Sequence, residues 1–299
     1  MGLDLSEKGR PAIDQALCSG CGACVRACHS SMFEQCNGKT RVTAGSWPGC
    51  IACGSCMMVC PAGAVTVRGR RFDAAGLVGL PATEPATADQ LEALLLARRS
   101  ARRFESREVD RALVDRILEM TATAPMGIPP SGVGIVVFHG REKVHQFAAD
   151  IAQACRVTAR SMGPLKLALL RPLLGRVQTT MLRGFVVPLL KLIAERWDEG
   201  QDAFAYDAPL AFLFHTLPED DGADVHIVAT YAMLAAESLG LGTCLLGTAG
   251  VLDHCKLPLK ERYGIPATNK TGLAMIAGYA DQPPYRRGIR RPFTAVRFA

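Results

Sequence analysis

Between Ile151 and Ala194 the sequence contains no aspartate or glutamate, while Arg156, Arg160, Lys166, Arg171, Arg176, Arg183 and Lys191 all fall in that span. Net charge over the 299 residues is +6, so everything outside the span sums to −1. A nucleic-acid protein is expected to spread its basic residues along a recognisable binding motif, and none is found, so no nucleic-acid partner is expected. The first 25 residues hold no apolar run of signal-peptide length, which makes the cytoplasm the expected location. Met1 to Ser6 fits a myristoylation pattern, but a pattern of that length arises easily by chance. Within the basic region the longest uncharged run is Gly184 to Leu190, far short of the roughly 20 residues a membrane-spanning helix needs. Nor does any G-x-G-x-x-G follow a strand-like run, which excludes a Rossmann nucleotide site.

What the chain does have is apolar content of 49% and enough length for two domains. It also has twelve cysteines, nine of them in the first 60 residues. Cys18, Cys21, Cys24 and Cys28 are spaced C-x2-C-x2-C-x3-C, and Cys50, Cys53, Cys56 and Cys60 repeat that spacing. A cubane cluster takes one thiolate on each of four irons; three come from the tight loop, and in two-cluster proteins the fourth cysteine ligates the other cluster. One [4Fe-4S] cluster is therefore expected on Cys18, Cys21, Cys24 and Cys60, and a second on Cys50, Cys53, Cys56 and Cys28. Zinc knuckles use C-x2-C pairs separated by a longer loop, and this pattern differs from theirs. Over about 60 residues the chain resembles the bacterial two-cluster ferredoxins. It departs from them at His29, which stands where proline usually follows the fourth cysteine. His29 either makes the neighbouring cluster's potential pH-dependent or is a solvent-facing turn residue. Cys36, Cys155, Cys244 and Cys255 lie outside the spacing and are expected to be small buried residues.

The expected domains are 1–72 around the clusters, a linker over 73–86 rich in Ala, Gly and Pro, and 87–299, with a basic helical insert at about 151–200. Thr87 and Gln90 form a capping box ahead of a helix that leads into Arg98-Arg99-Ser100-Ala101-Arg102-Arg103-Phe104. Asp110 is expected to cap a second helix. Gly134 to Phe138, Leu210 to His215 and Leu273 to Ala277 are expected as strands, and Ala223 to Leu239 as a helix stopped by Gly240. Strands alternating with helices make the domain after the small ferredoxin-like one α+β or α/β, and α+β is the fold class expected. Pro164, Pro172 and Pro188 interrupt the leucine-rich stretch from Gly163 to Ala194. It is expected as a helical insert with its arginines in water, the other reading being a basic surface that touches anionic lipid.

Four stretches carry a second resemblance: RRSARRF (98–104), TAPMGIPPSGVGIVVF (123–138), AAESLGLGTCLLG (235–247) and AGYADQPPYRRGIRRPF (277–293). With them, residues 87–299 resemble the nitroreductase family of FMN flavoproteins. The resemblance implies an FMN phosphate on Arg98, Arg99, Ser100 and Arg102, joined from the C-terminal side by Arg290 or, less directly, Arg287. It implies that Leu245, Leu246 and Gly247 line the isoalloxazine. Where the family often has a flavin-contacting asparagine this chain has Pro129, so ring contacts are expected from the backbone near Met126 and Gly127. It further implies an intertwined homodimer, NAD(P)H stacking directly on the flavin, and acceptors such as nitroaromatics, quinones, free flavins and activated alkenes. No catalytic general acid is expected, because His139, His145, His215, His226 and His254 have no partner spacing that would mark one.

Clusters pass single electrons and FMN can deliver a hydride, so the expected path runs from ferredoxin or another one-electron donor through the clusters to FMN and a small acceptor. Two alternatives are an electron-transfer protein whose FMN serves a partner enzyme, and a dehydrogenase running the path in reverse. The basic insert is expected to cap the flavin and favour an anionic or electron-poor aromatic acceptor.

Overall fold

The computed structural model describes residues 7–70, 74–127, 132–283 and 285–298. The myristoylation-like start, the Pro129 loop position and the expected 72/73 boundary lie outside the described residues. The chain divides into two units, one comprising the residues up to Pro85 with Met126–Gly132, the other Ala86–Pro125 with Val133–Ala299.

In the first unit, β1 (Arg10–Ile13) pairs antiparallel with β4 (Val65–Arg68), Ile13 opposite Val65. A hairpin of β2 (Phe33–Cys36) and β3 (Lys39–Val42) turns at Asn37-Gly38, both at positive φ, the dipeptide that suits a tight turn matching strand twist. Two short helices, α1 (Ala23–Ala27) and α2 (Ser55–Met58), complete the unit. Its core is small: Phe33, Met32, Ala52, Val65 and Val67 pack with Cys24 and Cys56. A core of that size supplies little folding energy, and such domains usually depend on metal.

The second unit is a four-stranded antiparallel sheet in the order β5 (Val133–His139), β6 (Leu210–Thr216), β8 (Lys270–Gly278), β7 (Gly242–Leu246). Alternation along β6 explains the layering. Ala211 and Leu213 join Ala274 and Ile276 of β8 in one core, with Phe147 and Ile151 of α5 (Arg141–Ser161) and Leu190 and Ile193 of α7 (Val187–Asp198). Leu210, Phe212 and Phe214 join Met275 and Ala277 in the other, with Val114 and Ile117 of α4 (Arg111–Thr121) and Val228 and Ala232 of α8 (Gly222–Ser238). Because helices cover both faces, the central strands are uniformly apolar rather than alternating. α3 (Ala88–Ala97) begins with both hydrogen bonds of the Thr87/Gln90 capping box, whereas Asp110 precedes α4 without a side-chain cap bond. A last short helix, α9, spans Leu259–Arg262.

Two further features depart from the sequence pattern. Residues 242–246, not expected as a strand, form β7, a five-residue strand too short to show a period of its own. The prolines do not break the basic segment: α6 (Pro164–Met181) contains Pro172 and kinks at Gly175, then runs through a π-turn (Leu182–Val186) into α7 with Pro188 in its first turn. Arg171–Asp198 is by length and composition alone long and apolar enough to cross a membrane, although the longest uncharged run within it is short.

Phe214 is 0% exposed at the centre of the second core, and Phe298 is 99% exposed. Phe214→Ala should therefore lower stability by about 3–5 kcal/mol in urea unfolding, and Phe298→Ala by less than about 0.5 kcal/mol. Equal costs would contradict the assigned core.

Candidate functional sites

Cysteine placement in the first unit follows from two glycines. Gly22 and Gly54 hold φ of 69° and 76° at the N-caps of α1 and α2, in the left-handed region open to glycine at little cost. The chain can thus reverse between Cys21 and Cys24, and again between Cys53 and Cys56. Cys28, Cys50, Cys53 and Cys56 line one pocket, with His29, which is exposed, at its wall. Burial pushes the Cys56 thiol up to about 12, with further upward pressure from Cys50, Cys53 and Cys28. Burial likewise raises Cys50, on which Cys53 and Cys28 also act. Cys24 is raised first by burial, and the thiols that act on it are Cys60 and Cys18. Cys21 is exposed, and its thiol is lowered chiefly by the backbone N–H of Ala23 and the Ser19 hydroxyl.

The fourth cysteine of each run therefore faces the other run's trio. Backbone amides repeat the relation: Met32 N–H donates to Cys28 Sγ at 3.4 Å and Ala64 N–H to Cys60 Sγ at 3.2 Å, each four residues on. Such N–H···S bonds tune a cluster's potential. Buried thiols crowded in this way resist deprotonation, and bound iron would reverse that by stabilising the thiolates. Among the described residues no three His, Cys, Asp or Glu side chains converge closely enough to hold a single ion. Cys28, Cys50, Cys53 and Cys56 around one pocket, and Cys18 and Cys60 acting on Cys24, are thiol groupings that fit ligation of an iron–sulfur cluster.

In the second unit, three sequence-distant motifs meet along the outer edge of β7 and its continuation past β8. Arg98 ends α3, after which Ser100 forms a parallel bridge with Thr243, and Ala101 N–H donates to Thr243 O at 2.8 Å. The segment continues with Phe104 opposite Ala280, Glu105 N–H donating to Tyr279 O at 2.8 Å, and Asp281 N–H donating to Arg103 O at 2.9 Å. Gly242 makes the approach feasible, since a Cβ there would lie 2.8 Å from that of Ala101 and 2.9 Å from that of Ala280. Arg98, Arg99 and Ser100 are half-buried and Arg102 is exposed with its guanidinium 5.9 Å from the Tyr206 ring centroid. Leu245 and Leu246 finish β7 half-buried, and Gly247 opens the 3-10 turn Gly247–Asp253.

The C-terminal tail runs back along α3. Gly288 packs on Leu96, and Arg290 ion-pairs with Glu92. Glu92 lies six residues before Arg98, about 9 Å along the helix, so the tail that carries Arg290 runs beside the helix that leads into the first arginine group. Arg287 is exposed. Met126 and Gly127 group with the first unit, while Ile128–Ser131 lie outside the described residues. The histidines are engaged elsewhere: His139 Nε2 bonds to Val109 O at 2.7 Å, His215 Nδ1 to Asn269 Nδ2 at 3.0 Å, and His145 stacks obliquely on Trp197.

Glu237 was missed by sequence reasoning. Burial pushes its carboxyl above the usual range, the Thr243 hydroxyl donates to it at 2.9 Å, and the positive charge of Arg98 draws it back down. Glu237 thus ties α8 to the residue that aligns Ser100 and Ala101. Its only sequence signal is an acid in the last turn of a helix whose other acid, Asp224, lies in the first turn.

A family model described as the nitroreductase family matches residues 95–279. An N-terminal segment is 41% identical over 64 residues to a ferredoxin of Pyrobaculum islandicum, covering 21% of this chain and spanning 57% of that ferredoxin's length. A nitroreductase with bound FMN from Bacteroides fragilis superposes with a TM-score of 0.53 at 18% identity, covering 70% of this chain and 98% of its own. An FMN-dependent nitroreductase from Clostridium difficile gives a TM-score of 0.48 at 16% identity over 71% of this chain and all of its own (100%). With the family model spanning more than half of the sequence, the protein belongs to the nitroreductase family and carries a ferredoxin-like segment ahead of that domain.

Proposed function

We propose that the protein is an iron–sulfur flavoprotein oxidoreductase reducing a small acceptor such as a nitroaromatic, quinone or activated alkene. Two [4Fe-4S] clusters would supply single-electron transfer and FMN would convert it to two-electron reduction, the direction being from an external one-electron donor toward the acceptor. Cys18, Cys21, Cys24 and Cys60 would hold one cluster, and Cys50, Cys53, Cys56 and Cys28 the other. Arg98, Arg99, Ser100 and Arg102 would bind the FMN phosphate, with Arg287 and Arg290 adding charge from the tail, while Leu245, Leu246 and Gly247 flank the ring.

One observation carries the reading: backbone pairing joins residues 98–105, 242–243 and 279–281, so that a cationic, hydroxyl-bearing loop and the end of β7 share one edge. Guanidinium groups bind phosphate through charge-assisted, often bidentate hydrogen bonds, and Ser100 adds a neutral donor. FMN in the solved relative named above supports the choice of flavin. Fusion of donor and flavin modules in one chain raises the effective concentration of one for the other. A homodimer is part of the proposal, as is reduction of the flavin by NAD(P)H as an auxiliary route.

Arg98→Ala should weaken FMN binding by at least about tenfold in a fluorescence titration of deflavinated protein, the scale of one lost charge-assisted bond. Arg111→Ala, remote on α4, should leave it unchanged; equal affinities for all three proteins would contradict the phosphate assignment.

Crossed ligation makes a second prediction. Cys28→Ser and Cys56→Ser should give one electron paramagnetic resonance signature, and Cys60→Ser and Cys24→Ser the other, each variant dropping from about eight irons to about four. Cys28→Ser patterning with Cys24→Ser would overturn the crossing.

A further inference from the structure

The segment around α6 is seated at its two ends: Leu167 is buried, and beyond the π-turn Val187, Leu190, Ile193 and Ala194 are buried, Leu190 and Ile193 within the core that includes α5. Between those ends no described side chain is buried. Leu165, Leu169 and Leu173 recur every four residues before the Gly175 kink, and Val177, Met181 and Phe185 repeat that interval after it. Residues four apart share a helix face, so each half carries three of them on one side, and these six are between 55% and 84% exposed. An apolar strip of this extent is unusual on a surface that meets only water.

Charge identifies what it meets. Beside the strip is a cavity of about 320 Å³ lined by Arg171, Arg176 and Arg183 with Thr179 and Thr180. None of the three arginines has an ion pair among the described residues, and no acidic residue occurs from Ile151 to Ala194. A second copy seated symmetrically on this face would bring two copies of an unpaired basic patch into one interface, since a twofold interface repeats one patch on both sides. A surface that is apolar beneath and anionic at its rim satisfies both features, which is the structure of a bilayer containing acidic lipid. Length and composition would let Arg171–Asp198 span a membrane, but α7 is half of the second unit's helical layer and cannot leave it without exposing Leu190 and Ile193.

We propose that α6 and the π-turn after it lie in the plane of an anionic lipid surface, the Leu165–Phe185 strip entering the acyl boundary and the Arg171–Arg176–Arg183 cavity receiving a lipid phosphate. The protein is then a peripheral membrane reductase by its own surface, independently of which acceptor it reduces.

Flotation of the full-length, cluster- and FMN-loaded protein with phosphatidylcholine vesicles, with and without phosphatidylglycerol, tests this. Binding should be at least about tenfold stronger with phosphatidylglycerol and should fall as salt is raised. The triple variants Leu169→Gln/Leu173→Gln/Val177→Gln and Arg171→Gln/Arg176→Gln/Arg183→Gln should each lose about tenfold, and Arg111→Gln/Arg116→Gln nothing, with iron and flavin absorbance retained in all. No vesicle binding by the loaded protein would overturn the proposal. So would thermal stabilisation by inorganic phosphate without vesicle binding, which makes the cavity a free-anion site. A fall in oligomer mass on light scattering for the leucine variant would also overturn it, because the strip would then be a subunit contact.

Discussion

Backbone pairing of residues 100–105 along the outer edge of β7 and the strand beyond β8 is the constraint on which the second unit's chemistry depends. Without Ala101 on Thr243 and Phe104 beside Ala280, the arginine motif would be a solvated basic stretch at a helix end. The pairing also covers a sheet edge that would otherwise present unpaired amides. Everything positioned near it follows: Gly242 permits the approach, Glu237 holds Thr243, and the tail is clasped to α3 through Gly288 and Arg290. A phosphate bound by Arg98 and Ser100 would thus rest on groups whose backbone is fixed by the sheet, the arrangement that keeps a flavin's reactive edge in register with an acceptor.

The first unit answers a different constraint. Its apolar core is small, and two of the members of that core are cysteines. Burying thiols raises their pKa, strongly so at Cys56, so on their own they stay neutral, and iron that claimed the thiolates would add its binding energy to the unit's folding. The sulfurs that would ligate the clusters are thus also part of the unit's core, and the amides on Cys28 and Cys60 repeat one relation in both halves.

Much of this was legible in the sequence because strong local signals coincide with tertiary need. Strands β6 and β8 are buried on both faces, so their apolar runs survive as runs, and the Thr87/Gln90 box is a side-chain pattern that needs no distant partner. Cysteine spacing is likewise a local pattern, so the runs 18–28 and 50–60 stand out without any distant partner. Illegible features were those set by distant residues. β7 is a strand because β8 and residues 100–101 pair with it, not because Gly242 to Leu246 alternate. Pro172 and Pro188 stay helical because a kink at Gly175 and a π-turn absorb the missing amides. Glu237 acquires its role only through Thr243 and Arg98, which no spacing connects.

The central claim is that the cysteine-rich unit delivers electrons to a flavin held by the same chain. Anaerobic stopped-flow reduction of the loaded protein by reduced ferredoxin and, in parallel, by NADH and NADPH measures it directly, because cluster and flavin bleach at separable wavelengths. The account predicts that reduced ferredoxin bleaches the clusters first and the flavin afterwards, and that Cys56→Ser slows the second phase. Rapid flavin reduction by NADPH with the clusters lagging behind it, unchanged in Cys56→Ser, would contradict that order of flow.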